Sequence, residues 1–304
     1  MRPADKCHIT NVTGVIWTAY TSQGKIVSRS ARMTGHKKIS TLIKDYKMYR
    51  TEFTANQIEN VRNLAISILD DKSTELMKVS TTNRKLNHLA EALGIAKTQV
   101  VAIDGLAGHT CPFADICLAK VVVDDNGRRS LEKGANCEFT CYAAKLEAVY
   151  GNVYKAHKHN TDIVNRTKDV ELLAAIILAS IWAKSPSIKR KGGVVRWHSS
   201  GDFHKKHYVE AAALVALAAP DIVFFGYSKS PWVVAALTND ANSYFVHSHG
   251  SKFDAQADDM ELPQNYVRCS DKQYPNIPTA CPTSMVSDDY FFILAQKSFA
   301  INVH

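Results

Sequence analysis

From Val194 to Asp271 the chain repeats one unit: a short β-branched or aromatic run, a polar cluster, then a helical stretch. Val194-Val195-Arg196-Trp197 runs into His198-Ser199-Ser200-Gly201-Asp202, and Asp221 to Gly226 into Tyr227-Ser228-Lys229-Ser230. Ser243 to Val246 is followed by His247-Ser248-His249-Gly250, and Tyr266-Val267-Arg268 by Cys269-Ser270-Asp271. Between the first two runs, the Ala/Leu/Val-rich stretch Lys205 to Ala218 stops at Pro220; between the next two, Pro231 opens a short helix at an allowed first-turn position. Strands alternating with helices through short connections demand parallel pairing and right-handed crossovers. The pattern therefore predicts an α/β fold, a partial or complete β/α (TIM-like) barrel. Sites in such folds form where the strands end. Accordingly His198, Asp202, Tyr227, Lys229, His247, His249 and Cys269 are expected to line one mouth.

Upstream, Thr10 to Val27 reads as a hairpin, and Lys38 to Tyr49 and Thr54 to Leu69 as helices, the latter capped by Thr54. Asp70-Asp71-Lys72-Ser73 reads as a linker, which divides the chain into an N-terminal α/β extension, residues 1–72, and a main domain, 73–304. Asn83 to Leu93 should be helical and end at Gly94, with Gln99 to Ile103 a short strand. Helical patterns fill Tyr142 to Lys158 and Asp162 to Lys184. His157 and His159 read as part of a solvated basic patch, and Lys189-Arg190-Lys191-Gly192-Gly193 as a solvated turn.

Four mid-chain cysteines form two close pairs, Cys111-Pro-Phe-Ala-Asp-Ile-Cys117 and Cys137-Glu-Phe-Thr-Cys141. Between them, Lys120 to Asp124 and the turn Asp125-Asn126-Gly127 predict a small hairpin. Seven cysteines in all exclude a fully paired disulfide framework. Thiolates clustered this way hold soft metals. Their spacings differ from the two-residue knuckles of structural zinc sites, whereas a cluster's ligands bind different irons and tolerate irregular spacing. A [4Fe–4S] cluster on Cys111, Cys117, Cys137 and Cys141 is thus expected ahead of zinc. Cys269, at a strand end, or Cys281, which precedes Pro282 as Cys111 precedes Pro112, are possible replacements for one ligand. His198 and Asp202 are candidates for acid–base work, and His198, Ser200, Tyr227, Lys229, His247 and His249 for ligand binding. The competing reading makes Ser200 or Asp202 a helix cap.

Gly105-Leu-Ala-Gly-His-Thr-Cys-Pro-Phe-Ala-Asp-Ile-Cys117, Cys137-x-x-x-Cys141-Tyr-Ala and Val195-Arg-Trp-His-Ser-Ser-Gly-Asp-Phe203 resemble the gene product 88 family of mycobacteriophage proteins, as does Ser80-Thr-Thr-Asn-Arg-Lys-Leu86. The resemblance runs over roughly residues 79 to 285. It implies a phage-encoded protein working in the host cytoplasm. This chain inserts about twenty residues between Cys117 and Cys137. A weaker similarity links the cysteine loop to radical S-adenosylmethionine barrel enzymes. They require a third cysteine where this chain has Ala144, so S-adenosylmethionine is not expected as a cofactor.

Composition fits a chain with a sizeable core: 304 residues, 46% hydrophobic. Met1-Arg-Pro-Ala-Asp-Lys lacks the apolar run of a signal peptide, and the apolar windows Val170–Trp182 and Ala211–Tyr227 are too short or too broken to span a bilayer. A net charge of +8 permits a nucleic-acid partner, although the basic residues are scattered. Two functions compete. One is an iron–sulfur protein with a redox or radical-type role acting on a small molecule or with a host redox protein. The other is a binding module, stapled by a cluster or zinc, for nucleic acid or a host or virion protein.

Overall fold

The computed structural model describes residues 52–81, 83–134, 141–239, 241–268, 290, 293–296 and 298–302, all within one compact unit. The expected hairpin at Thr10 to Val27, the helix at Lys38 to Tyr49, and Cys7, Cys137, Cys269 and Cys281 lie outside the described residues.

A seven-stranded sheet organises the molecule. Its strands are β1 (Val79–Ser80), β2 (Val100–Ile103), β5 (Gly193–Trp197), β6 (Ile222–Ser228), β7 (Ser243–Ser248), β8 (Gln264–Arg268) and β9 (Phe299–Asn302), which lie side by side in that order. From β2 to β9 every pairing is parallel, as the strand–helix alternation requires. A two-stranded antiparallel hairpin, β3 (Lys120–Val123) and β4 (Arg129–Glu132), forms where expected, with Gly127 at φ 76° in its turn.

Among the described residues the sheet stays open, which corrects the expectation of a complete barrel. The reason lies at β2. To close a parallel barrel, the last strand must pair with the free side of the first. Here that side is taken by β1, which pairs antiparallel with it (Val79 opposite Ile103).

Side chains alternate across the strands and so build two cores. Val101, Ile103, Val195, Trp197, Phe224 and Phe245 point to one face. There they meet helices α1 (Ala55–Asp71), α5 (Val170–Lys184), α7 (Lys206–Ala218) and α8 (Pro231–Leu237). Helix α5 is apolar on all sides because it is packed between α1 and α7. Helix α1, assigned from sequence to the N-terminal extension, inserts Val61, Ala65 and Ile68 into this same core. Val100, Ala102, Val194, Val223, Phe225 and Val246 point to the opposite face, under α2 (Arg84–Leu93) and Tyr290.

The caps expected at Thr54 and Gly94 form, and Asn83 and Ser230 supply two more. Thr54 forms a capping box with Gln57, Asn83 caps α2, Gly94 ends it at φ 65°, and Ser230 caps α8 ahead of Pro231. Two helical boundaries differ. The stretch from Tyr142 is broken at Tyr150, an extended residue, into α3 (Tyr142–Val149) and α4 (Gly151–Arg166), and Asp169 starts α5 afresh. The basic run at Lys189 is not a turn but the last turn of α6 (Pro186–Lys191), where cations complement the helix dipole.

Candidate functional site

The carboxyl ends of β2, β5 and β6 meet a loop that carries two of the cysteines. After β2, Asp104 is buried and its carboxylate accepts the Ser200 amide at 3.0 Å, while the Gly105 amide donates to the Ser200 carbonyl at 2.9 Å. The loop from β5 is thereby laced to the loop from β2. Gly201 completes the seam at φ 82°: a Cβ there would stand 2.4 Å from Thr110 Oγ1, so only glycine fits. Thr110 Oγ1 in turn accepts the Asp202 amide at 3.2 Å. Further along, Asp115 donates its amide to Gly250 O and Lys252 its amide to Phe113 O, so the cysteine loop also spans to the end of β7.

A cavity of about 250 Å³ opens at this edge. Cys111, Cys117 and Cys141 form one wall, and His198, Ser200 and Asp202 from β5 and Tyr227 and Lys229 from β6 form another. Three of the four predicted sulfur ligands, distant in sequence, thus share one chamber with five of the predicted polar residues.

The thiols are not equivalent. Cys141 is the N-cap of α3. A hydrogen bond from the Cys117 thiol, helped by the Ala143 and Ala144 amides and opposed by burial, brings it down to about 6. It is therefore a thiolate at neutral pH. Burial, with the Asp202 carboxylate nearby, pushes the Cys111 thiol up to about 12. A metal binding there would displace that proton, since a thiol ligates as the thiolate. Among the described residues, no group of three or more His, Cys, Asp or Glu is arranged to hold a metal ion.

His198 sits at φ 57°, a left-handed conformation that a residue with a Cβ adopts at a cost. Its Nε2 lies 3.1 Å from the Tyr208 hydroxyl and its ring meets Phe203 edge-on at 4.4 Å. Burial lowers it to about 3, so the ring is neutral at physiological pH. Asp202 is pushed up to about 6 by burial, although its two oxygens accept the Phe203 and Lys229 amides at 2.7 and 2.8 Å. Neither Asp202 nor Ser200 caps α7, whose N-cap is Lys205; Ser200 Oγ instead donates to Glu147 at 2.8 Å. The capping reading is thereby corrected. The Lys229 ammonium reaches Ser248 O, Ser248 Oγ and His249 O at 3.2, 3.3 and 2.8 Å, and burial lowers its pKa.

The two remaining predicted histidines stand apart from the cavity. His247 is fully buried with Nε2 2.8 Å from Asp254 Oδ1, and His249 Nε2 lies 3.4 Å from Asp254 Oδ2 while its ring lies against Tyr266. They do point to the same side of β7, and the carboxylate between them comes from α9 (Asp254–Asp259).

Sequence reasoning missed four residues. Glu147, fully buried on α3, accepts the Ala107 amide, Ser200 Oγ and His157 Nδ1 at 3.0, 2.8 and 2.7 Å, all on Oε1. His157, read as surface, is therefore part of the wall behind the cysteine loop. His159 is likewise engaged, with Nε2 2.8 Å from Leu76 O. Arg196 is 8% exposed and lines the cavity. A lone arginine inside an apolar parallel strand was the available signal.

These features define an open-sheet α/β protein with a thiol-walled cavity at its strand ends. Residues 70–284 match the gene product 88 family, and the chain belongs to it. The Gene 88 protein of Mycobacterium phage L5 is 26% identical over 163 residues, 53% of this chain and 56% of the relative, so the match spans about half of each. No solved structure matches the chain. Among the described residues, no helix is long and apolar enough to cross a membrane.

Proposed function

We propose that this is a phage-encoded iron–sulfur protein whose cysteine loop holds a [4Fe–4S] cluster, with a redox or radical-type role on a small molecule admitted to the adjoining cavity. The observation that carries the reading is the shared wall of Cys111, Cys117 and Cys141, one of them already acidified by its neighbour and by a helix N-terminus. The donors are all soft sulfur, which suits iron–sulfur chemistry. Cys137, outside the described residues, is the expected fourth.

A bound cluster supplies one-electron transfer. The protein's own groups do the rest. The loop lacing through Asp104, Gly105 and Ser200 fixes the thiol wall against the strand ends. Neutral His198 and the raised Asp202 border the chamber, where Asp202 can hold or release a proton near neutral pH.

Anaerobic purification with iron, sulfide and zinc analysis tests the proposal. About four irons per chain and a broad visible absorbance are expected, and each Cys→Ala change at positions 111, 117, 137 and 141 should lower iron content and folding yield together. Colourless protein carrying one zinc would sink the reading. A spectral change on adding S-adenosylmethionine separates a radical-type role from simple electron transfer.

A further inference from the structure

Four polar atoms on residues that line the cavity have no hydrogen-bond partner among the described residues: Arg196 Nε, His198 Nδ1, Ser199 Oγ and Asn265 Nδ2. Arg196 and Asn265 are more than nine-tenths buried. Native proteins seldom leave buried polar groups unmatched, so four around one chamber point to a ligand that completes them. Arg196 is also held in place, since its guanidinium carbon lies 6.0 and 5.6 Å from the Phe225 and Tyr227 ring centres. A rigid planar fork of donors matches a planar or tetrahedral oxyanion. Three cations, Lys85, Arg196 and Lys229, border the cavity against two anionic groups, the Asp202 carboxylate and the acidified Cys141 thiol. Lys229 contributes field rather than a donor, because its ammonium is directed to three oxygens of Ser248 and His249.

We propose that the cavity binds a small molecule through an oxyanion group, phosphate or carboxylate, gripped by Arg196 with Ser199 and Asn265 as further hydrogen-bonding partners. This names the substrate class for the site under Proposed function and rests on that reading for its chemistry, though not for the binding itself. Arg196 and Asn265 lie on β5 and β8, and Ser199 lies in the loop after β5, so the recognition group draws on neighbouring strand ends of the chamber that the thiols also line.

Isothermal titration of the full-length, anaerobically purified protein with inorganic phosphate and, separately, with malonate tests it. Saturable binding of at least one is expected, weakened at least about tenfold by Arg196→Gln with iron content unchanged. Tighter phosphate binding assigns a phosphorylated ligand, and tighter malonate binding a carboxylic acid. Ser199→Ala, a smaller change, should weaken binding several-fold and serves if Arg196→Gln fails to fold. Binding of neither anion, or equal binding by wild type and variants, overturns the proposal. Protein that lacks iron yet keeps Arg196-dependent binding would sink the cluster and leave this site standing.

Discussion

Two carboxylate–histidine groups, one half-buried at Asp254 and one buried at Glu147, are built differently. Asp254 spreads its partners over both oxygens: His247 Nε2 and the Ser251 amide on Oδ1, the Gly250 amide and His249 Nε2 on Oδ2. Glu147 gathers three donors on Oε1, while Oε2 has no partner among the described residues. The first is a saturated brace for the loop after β7. The second is a tether with one oxygen in reserve, and it joins the cysteine loop, the β5 loop and the helix that Cys141 caps. Fully satisfied buried networks rigidify a fold, whereas at Glu147 three separate segments depend on one oxygen.

The sharpest way to break the contrast is Glu147→Leu. It strands His157, Ser200 and the Ala107 amide in the interior and should cost about 3 kcal/mol or more of stability, read by chemical denaturation, together with most of the iron. Glu147→Gln keeps an accepting oxygen and should lose less than half as much. Gly201→Ala forces a Cβ onto Thr110 at the seam beside the tether, with an expected loss of about 2 kcal/mol. Asp254→Asn keeps an accepting oxygen and should cost about 1 kcal/mol while leaving iron content unchanged. Iron loss in that variant would erase the distinction.

The pH dependence of stability is a separate readout. Burial pushes Asp254 upward, but its hydrogen bonds from His247, Gly250 and Ser251 win and hold it below the usual aspartate range. Its contribution is therefore complete above the ordinary aspartate pKa and disappears as pH falls through the depressed value. His198 behaves alike for a different reason. Its folded pKa of about 3 lies below the unfolded value, so the unfolded chain takes up a proton the fold refuses, and stability declines as pH drops from about 6.5 toward 3. His198→Asn, which tolerates the left-handed backbone, should flatten that slope in urea titrations run at several pH values.

The strands and caps were legible because their signals are local. Thr54, Asn83, Gly94 and Pro231 act on backbone within one turn, and Val194 to Trp197 announces itself by β-branching. The gathering of Cys111, Cys117 and Cys141 with His198 and Asp202 was legible from the rule that strand ends share an edge. Glu147 and His157 were not, since a charged residue on a helix looks the same whether it faces water or a buried partner 10 positions away. Sheet closure was hidden for a similar reason: a two-residue strand, Val79–Ser80, decides it, and two residues carry no periodicity.

The hairpin between the cysteine pairs has a consequence for how this loop can vary. Its feet meet, since a Cβ on Gly134 would lie 2.5 Å from that of Leu118, and His109 Nε2 fastens it 2.8 Å from Val121 O. A detour whose entrance and exit coincide adds chain without adding reach. The tip at Asn126-Gly127 can therefore be shortened, lengthened or fitted with a label while the sulfurs keep their places, which makes it the natural port for tethering a reporter to this protein.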